Sequence, residues 1–287
     1  MSIVVTGATG HLGRLVVEAL LDRGVPGGQI VATGRRTETL ADLAERGVVV
    51  RRADFDDPAS LREAFTGAER LLLVSGSEPG RRIEQHGNAI EAAKAAGVRH
   101  IAYTSIVRAD TSSLLLAADH RGTEELLAAS GVPHTLLRNA WYFENYTPQL
   151  PVYLEHGIVG SVGTARISAA ARADYAEAAA AVLTGEGHEG AIYELGGASF
   201  TMAELAEVVS TATGRTVTYT DLPVEPYAQV LVAAGLPEPV AAVFADGDRG
   251  AAAGELLVDG SDLEKLIERT PTPLADVVTA AAAQLRG

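Results

Sequence analysis

Three glycines spaced Gly7-x-x-Gly10-x-x-Gly13 follow a short apolar run, Ile3 to Thr6, and open a segment whose apolar residues Leu12, Val16, Ala19 and Leu20 have helical spacing. Between a strand and a helix, that spacing has chemical meaning. The first glycine allows a tight turn, missing side chains let a pyrophosphate approach the backbone, and free amides at a helix start supply donors and partial positive charge. The loop Gly7-Ala8-Thr9-Gly10-His11-Leu12-Gly13 therefore predicts a dinucleotide cradle. A second chemical signal is Arg35, in Gly34-Arg35-Arg36 at the predicted end of strand two. A carboxylate there takes the ribose 2′-hydroxyl of NAD, whereas a cation takes the 2′-phosphate of NADPH. Arg35 points to NADPH, against the alternative of a solvated surface arginine.

Ligands of an open parallel sheet sit beyond the carboxyl ends of its strands, so the remaining strand ends are informative. Asp54 ends strand three, placed to contact adenine or to cap the next helix. Ser75-Gly76-Ser77 ends strand four and lets the backbone run beside the cofactor's ribose; Thr104-Ser105 ends strand five. Strand six ends at Arg138-Asn139 and leads into Ala140-Trp141-Tyr142-Phe143-Glu144-Asn145-Tyr146. That segment concentrates aromatic groups in a chain only 5% aromatic, which makes it a candidate wall for nicotinamide or a flat substrate. For Trp141 alone, a hydrophobic seam between two halves is an equal alternative. His120 and Glu124, four apart on a predicted helix, lack a third metal ligand and read as a surface pair.

Six short apolar runs supply these ends: Ile3 to Thr6, Ile30 to Thr33, Val48 to Arg51, Leu71 to Val74, His100 to Thr104 and His134 to Leu137. Helical segments between them end near Gly24, Gly47, Gly67, Gly97 and Gly131, and Asp57-Pro58 reads as a helix cap followed by a first-turn proline. The alternation predicts an α/β fold, a Rossmann-type, doubly wound parallel sheet, over residues 1–140. From Trp141 the pattern turns irregular, and residues 141–287 are expected to form a smaller, mixed, substrate-covering part packed on the first. It holds predicted helices at Asp174 to Leu183, Met202 to Thr213 and Tyr227 to Ala234, and strands at Ala191 to Leu195 and Thr216 to Tyr219. Segments around Pro223, Pro226, Pro237, Pro239, Gly247, Gly250 and Gly254 read as loops or a mobile cover.

With 287 residues, 47% of them hydrophobic, the chain can bury a sizeable core. It contains no cysteine, which excludes disulfides, thiolate metal sites and a cysteine nucleophile; no metal is expected. The formal net charge of -14 opposes a nucleic-acid partner, since such affinity comes from cations that displace counterions. Met1 to Val5 runs directly into the glycine loop without an export signal, and the alanine-rich stretch Ser168 to Leu183 carries Arg172, Asp174 and Glu177, too polar for a bilayer span. A cytoplasmic protein without a membrane partner is the expectation. Homodimer formation is left open.

Thr6 to Gly13 resembles the opening of atypical short-chain dehydrogenases, specifically the NmrA-like group. The segments Ala92 to Val98, Ile101 to Ser105, Ala109 to Ser112, Leu136 to Tyr142 and Arg172 to Ala176 are similar to the bacterial type-two NAD(P)H:quinone oxidoreductases within that group, and the likeness reaches Tyr193-Glu194-Leu195 and Ala245 to Asp248. The resemblance implies two-electron reduction of a small quinone by NADPH without flavin, with the glycine loop, Arg35, the strand-four serines, Arg138 to Phe143 and Arg172 around the cofactor. Active short-chain dehydrogenases use a tyrosine and, four residues on, a lysine that lowers its pKa. Here those positions hold Leu116 and His120. Carbonyl reduction and epimerisation, which need that acid or base, are therefore disfavoured, while a quinone accepts hydride readily and its product can take a proton from water. Tyr103, His120, Asn139 and Tyr142 are the candidates for orienting the quinone oxygen. The alternative is a regulator that senses NADP(H) and signals through a protein partner.

Arg35→Ala is expected to weaken NADPH binding by about tenfold or more and NADH binding far less, in line with loss of a charge-assisted phosphate contact. Fluorescence titration with the two coenzymes checks this, and equal weakening removes the 2′-phosphate assignment.

Overall fold

The computed structural model describes residues 1–78 and 80–285. In chain order, its first half runs β1 (Ile3–Val5), α1 (His11–Asp22), β2 (Ile30–Gly34), α2 (Ala41–Glu45), β3 (Val49–Arg52), α3 (Pro58–Ala64), β4 (Arg70–Leu73), α4 (Arg82–Ala95), β5 (His100–Ile106), α5 (Leu115–Ser130) and β6 (His134–Asn139). The second half continues with β7 (Trp141–Tyr142), α6 (Leu150–His156), β8 (Ile158–Gly160), β9 (Ile167–Ala170), α7 (Arg172–Thr184), β10 (Ile192–Leu195), β11 (Ser199–Phe200) and α8 (Met202–Thr213). It ends with β12 (Tyr219–Asp221), α9 (Val224–Ala233), α10 (Glu238–Ala252), α11 (Ser261–Ile267) and α12 (Leu274–Gln284).

A seven-stranded, wholly parallel sheet in the order β10-β6-β5-β4-β1-β2-β3 forms the centre of a Rossmann-type α/β fold. Its strands are apolar on both faces because both are covered. Ile3, Val5, Ala32, Leu72 and Ala102 face α1 and α7, while Val4, Val31, Leu71, Leu73 and Ile101 face α3, α4 and α5. The turn chemistry read from the sequence appears at the helix ends. Asp57 caps α3 by accepting from the amides of Ala59 (3.1 Å) and Ser60 (3.3 Å), and Gly131 stops α5 at φ 74°.

The chain crosses residue 140 and then returns to the first layer. Helix α7 packs on α1, and β10 pairs in parallel with β6, completing the sheet from the second half. The remainder builds its own core around Phe143, Phe200, Leu205 and Val278, with two small sheets, β11-β9-β7 and β12-β8. The short strand expected at Thr216 to Tyr219 starts later, as β12.

The helix expected at Tyr227 to Ala234 is α9, which starts earlier, at Val224, whereas the loop expected around Pro237 to Gly250 is instead helix α10. Pro223 and Pro237 stand just before these helices, and Pro226 and Pro239 lie in their first turns, where a missing N–H breaks no helical bond. Gly247 and Gly250 are interior to α10 because the helix docks closely: a Cβ on Gly247 would lie 3.2 Å from the Trp141 ring, and one on Gly250 would overlap Leu114. The acidic stretch anchors the same docking. Asp246 accepts from the amide of Leu115 at the start of α5 (2.7 Å), Glu255 from that of Ser113 (2.8 Å), and Asp248 from that of Ser161 beyond β8 (2.8 Å). No helix among the described residues is long and apolar enough to cross a membrane.

Gly250→Ala is expected to lower stability by about 1–3 kcal/mol through overpacking against Leu114. Urea unfolding measures it, and an unchanged midpoint would contradict the close-docking explanation.

Candidate cofactor cleft

Thr6 ties the end of β1 to β4: its hydroxyl donates to the Leu72 carbonyl (3.1 Å) and accepts from the Val74 amide (2.9 Å). The chain then turns at Gly7, whose φ of 61° belongs to the left-handed region. The Gly10 amide closes the turn onto the Gly7 carbonyl at 2.9 Å. Gly13 is required by proximity, since a Cβ there would lie 2.5 Å from the Gly7 oxygen. The first bond of α1 runs from Arg14 N–H to Gly10 C=O (3.1 Å), and Gly10 offers no side-chain cap. The amides of His11, Leu12 and Gly13 therefore have no acceptor among the described residues. The first turn carries no acidic residue, so its dipole is free to face an anion. A pyrophosphate fits this cradle.

The loop borders a cleft of ≈ 500 Å³ over the carboxyl ends of the strands. Arg35, Asp54, Ser75, Gly76, Ser77 and Tyr142 all line it, as their sequence positions predict. Arg35 is exposed at the mouth, its Nη1 3.4 Å from Glu78 Oε1. Asp54 also shapes the turn into α3, its amide donating to Ser60 Oγ (3.0 Å) and its Oδ1 accepting from Asp56 N–H (3.2 Å). Thr104 stands behind Ser75, accepting that residue's amide at 2.9 Å. Sequence reasoning missed Arg82, Gln85 and His86 on α4. Arg82 and Gln85 line the cleft; Arg82 is buried, and its Nη1 has no acceptor among the described residues. Their signal was positional: polar residues at i, i+3 and i+4 on the face that continues into buried Ala89 and Ile90.

Tyr142 forms the far wall. Its hydroxyl accepts from Asn139 Nδ2 (3.2 Å), its ring meets Tyr175 edge-on at 5.2 Å, and the Arg172 guanidinium lies 5.2 Å from its centroid. Arg172 is placed by the start of α7, where its amide donates to the Glu144 carboxylate at 3.0 and 3.1 Å. Asn139 is buried, and its Oδ1 has no partner among the described residues. Trp141 is half-buried against Gly247 of α10, and its carbonyl accepts from the Tyr175 hydroxyl (3.1 Å).

Several other candidates are placed away from the cleft. Tyr103 and His120 are buried between β5 and the α4–α5 layer, 2.8 Å apart from hydroxyl to Nδ1. Burial pushes the Tyr103 hydroxyl far above its usual range and, with the Arg82 charge, holds His120 down to about 3. Arg138 neutralises buried Glu124 (3.0 and 2.7 Å) and reaches Asp110 and Glu194 (both 3.0 Å), so its expected place beside the cofactor is corrected to an internal ion network. Ser105 joins it through a 2.6 Å bond to Glu124, which is correspondingly not a surface residue. Ala140 and Phe143 belong to the C-terminal core, as does partly buried Leu116 at the missing tyrosine position. Ala8 is buried under α1. Asp174, in the first turn of α7, accepts from Arg269 Nη2 (2.7 Å) and the Thr272 amide (2.8 Å), tying the C-terminal segment to that helix. Among the described residues, no group of three or more His, Cys, Asp or Glu side chains is arranged to hold a metal.

A model of the NmrA-like family matches residues 1–255. The chain belongs to that family. It is 49% identical over 279 residues to Quinone oxidoreductase 2 of Escherichia coli (strain K12), an alignment covering 96% of this chain and 97% of that protein. Its fold is similar to the crystal structure of an E. coli NADPH-dependent quinone oxidoreductase complexed with NADPH, with a TM-score of 0.94 and 47% identity over 99% of this chain and 100% of the other. It is likewise similar to the Citrobacter triphenylmethane reductase complexed with NADP(H), with a TM-score of 0.92 and 40% identity over 98% and 100% of the two chains.

In this NmrA-like chain, burial gives the layer beneath the cleft a pH dependence. His86 and His120 are both held down to about 3, by burial first and the Arg82 charge second, from an ordinary value of 6.5. Between those limits the unfolded chain binds more protons than the folded one, so stability is complete above about pH 6.5 and falls as pH drops toward 3. Each residue is expected to remove up to about 1.4 kcal/mol per pH unit over that window. Urea midpoints at pH 7 and pH 4.5 check this, and equal midpoints would contradict it.

Proposed function

We propose that this protein is an NADPH-dependent quinone oxidoreductase that transfers a hydride directly, without flavin, to a small quinone. The observation that carries the reading is the cradle of unpartnered α1 amides facing an aromatic wall at Tyr142, in a chain 49% identical to a quinone oxidoreductase over nearly its whole length. Bound NADPH supplies the hydride from its nicotinamide ring. The residues of the chain supply placement. The amides of His11, Leu12 and Gly13 hold the pyrophosphate, Arg35 takes the 2′-phosphate, and Ser75 to Ser77, backed by Thr104, border the ribose. Tyr142 gives the quinone a flat face, and its hydroxyl, fixed by Asn139, orients a quinone oxygen. Arg172, above the same ring, offers positive charge where the reduced oxygen gains negative charge.

Leu116 and His120 stand where related dehydrogenases carry tyrosine and lysine, and both lie away from the cleft. That absence suits a quinone. Hydride addition creates an aromatic, phenolate-like product that can take its proton from water, so placement provides most of the rate. Residues from 141 onward, except α7 and β10, serve in this reading as the substrate cover, with α10 pressed on Trp141. A cysteine-free enzyme drawing on NADPH fits the cytoplasm. No observation favours the NADP(H)-sensing alternative.

The test is NADPH oxidation by purified protein with benzoquinone, followed by absorbance. Turnover well above the nonenzymatic rate is expected, and Tyr142→Ala should lower kcat/KM for the quinone by about tenfold or more while NADPH affinity changes less than about threefold. No excess consumption by the wild type would overturn the proposal.

A further inference from the structure

Gly76, in the turn after β4, borders the cleft, and both its polar backbone atoms are held by side chains from α4. Its N–H donates to His86 Nε2 at 2.9 Å, and its C=O accepts from Arg82 Nε at 2.6 Å. Residues four apart share a helix face, so one face of α4 grips both ends of a single residue.

The protons in this grip can be assigned. The Thr123 hydroxyl donates to the Asp119 carbonyl at 3.0 Å, which leaves only its lone pairs for His86 Nδ1 at 2.9 Å. Nδ1 therefore carries the hydrogen, and Nε2 presents a lone pair to Gly76. A line of hydrogen bonds thus runs from the cleft through His86 and Thr123 into the backbone of α5. His86 has no solvent exposure and meets the cleft from behind, through its bond to Gly76 and an edge-on contact with the Phe55 ring at 5.8 Å. Arg82 supports it electrically as well as sterically: with burial, its charge keeps the imidazole neutral and able to accept.

We propose that His86 and Arg82 are positioning residues for the dinucleotide, fixing the Gly76 peptide so that the Ser75–Ser77 turn presents a rigid backbone edge to the bound ribose. The inference rests on the cofactor reading above and adds residues outside the glycine loop to it.

His86→Gln and His86→Asn separate positioning from simple packing. A glutamine carbonyl reaches the place of Nε2, whereas an asparagine carbonyl stops near Nδ1 and leaves the Gly76 amide without an acceptor. The Asn variant is expected to raise KM for NADPH by about tenfold, the scale of one unsatisfied amide, with kcat and the quinone KM within about twofold. The Gln variant should stay within about threefold of wild type. An unchanged NADPH KM in His86→Asn, a fall in kcat alone, or failure of His86→Gln to recover affinity would each overturn the proposal. If the Asn variant does not fold, Thr123→Val removes the acceptor behind Nδ1 and should raise the NADPH KM by about threefold or more; no change overturns the proposal. NADPH affinity is also read by fluorescence titration without quinone. A wild type that binds NADPH but does not turn over would refute the reductase reading and still leave the grip on Gly76 open to measurement.

Discussion

Helix α1 begins with backbone amides that nothing in the described chain satisfies, and much of the surrounding structure serves to keep them available. Gly13 must lack a side chain for the helix to start directly over the Gly7 carbonyl. Gly34, at the end of β2, must lack one because a Cβ there would lie 2.5 Å from Thr9. Thr6 locks the turn to β4 from below. Unsatisfied donors at a helix start are tolerable beside an open cleft, where water or an anion completes them, and the dipole behind them makes an anion the better partner.

The second half of the chain holds this edge rigid. Strand β10 extends the sheet beyond β6, and α7 packs beside α1 on the same face of the sheet, so the cofactor layer is closed only by residues that follow the aromatic segment. Buried polar networks join the parts. Arg138 gathers Glu124 from α5, Glu194 from β10 and Asp110 from the loop between β5 and α5, which makes its charge structural. Carboxylates of Asp246 and Glu255 satisfy amides at the start of α5, doing for that helix what its own N-cap residue, Leu114, cannot.

Features with local causes were legible in the sequence. Glycine spacing, helix-ending glycines, the Asp57 cap and all seven sheet strands follow from neighbours in the chain, although the place of β10 beside β6 does not. Arg35, Ser75 to Ser77 and Tyr142 were found at the cleft because position at a strand's end is also local. The misplaced residues depend on distant partners. Arg138 ends a strand, but its direction is settled by carboxylates 14 to 56 residues away. Tyr103 shares the face of β5 used by Ile101, and with both faces covered no polar alternation marks it as interior. Prolines and glycines between 223 and 254 were misread because the same residues that break helices also begin them or let them dock closely.

The central claim, that the α1 amides hold the pyrophosphate of NADPH, is tested most directly by calorimetric titration of NADPH into the wild type and Gly13→Ala. One-to-one binding by the wild type, with affinity lower by about a hundredfold in a variant that remains folded, is the predicted result. No heat from the wild type, or equal affinity in the folded variant, would contradict it.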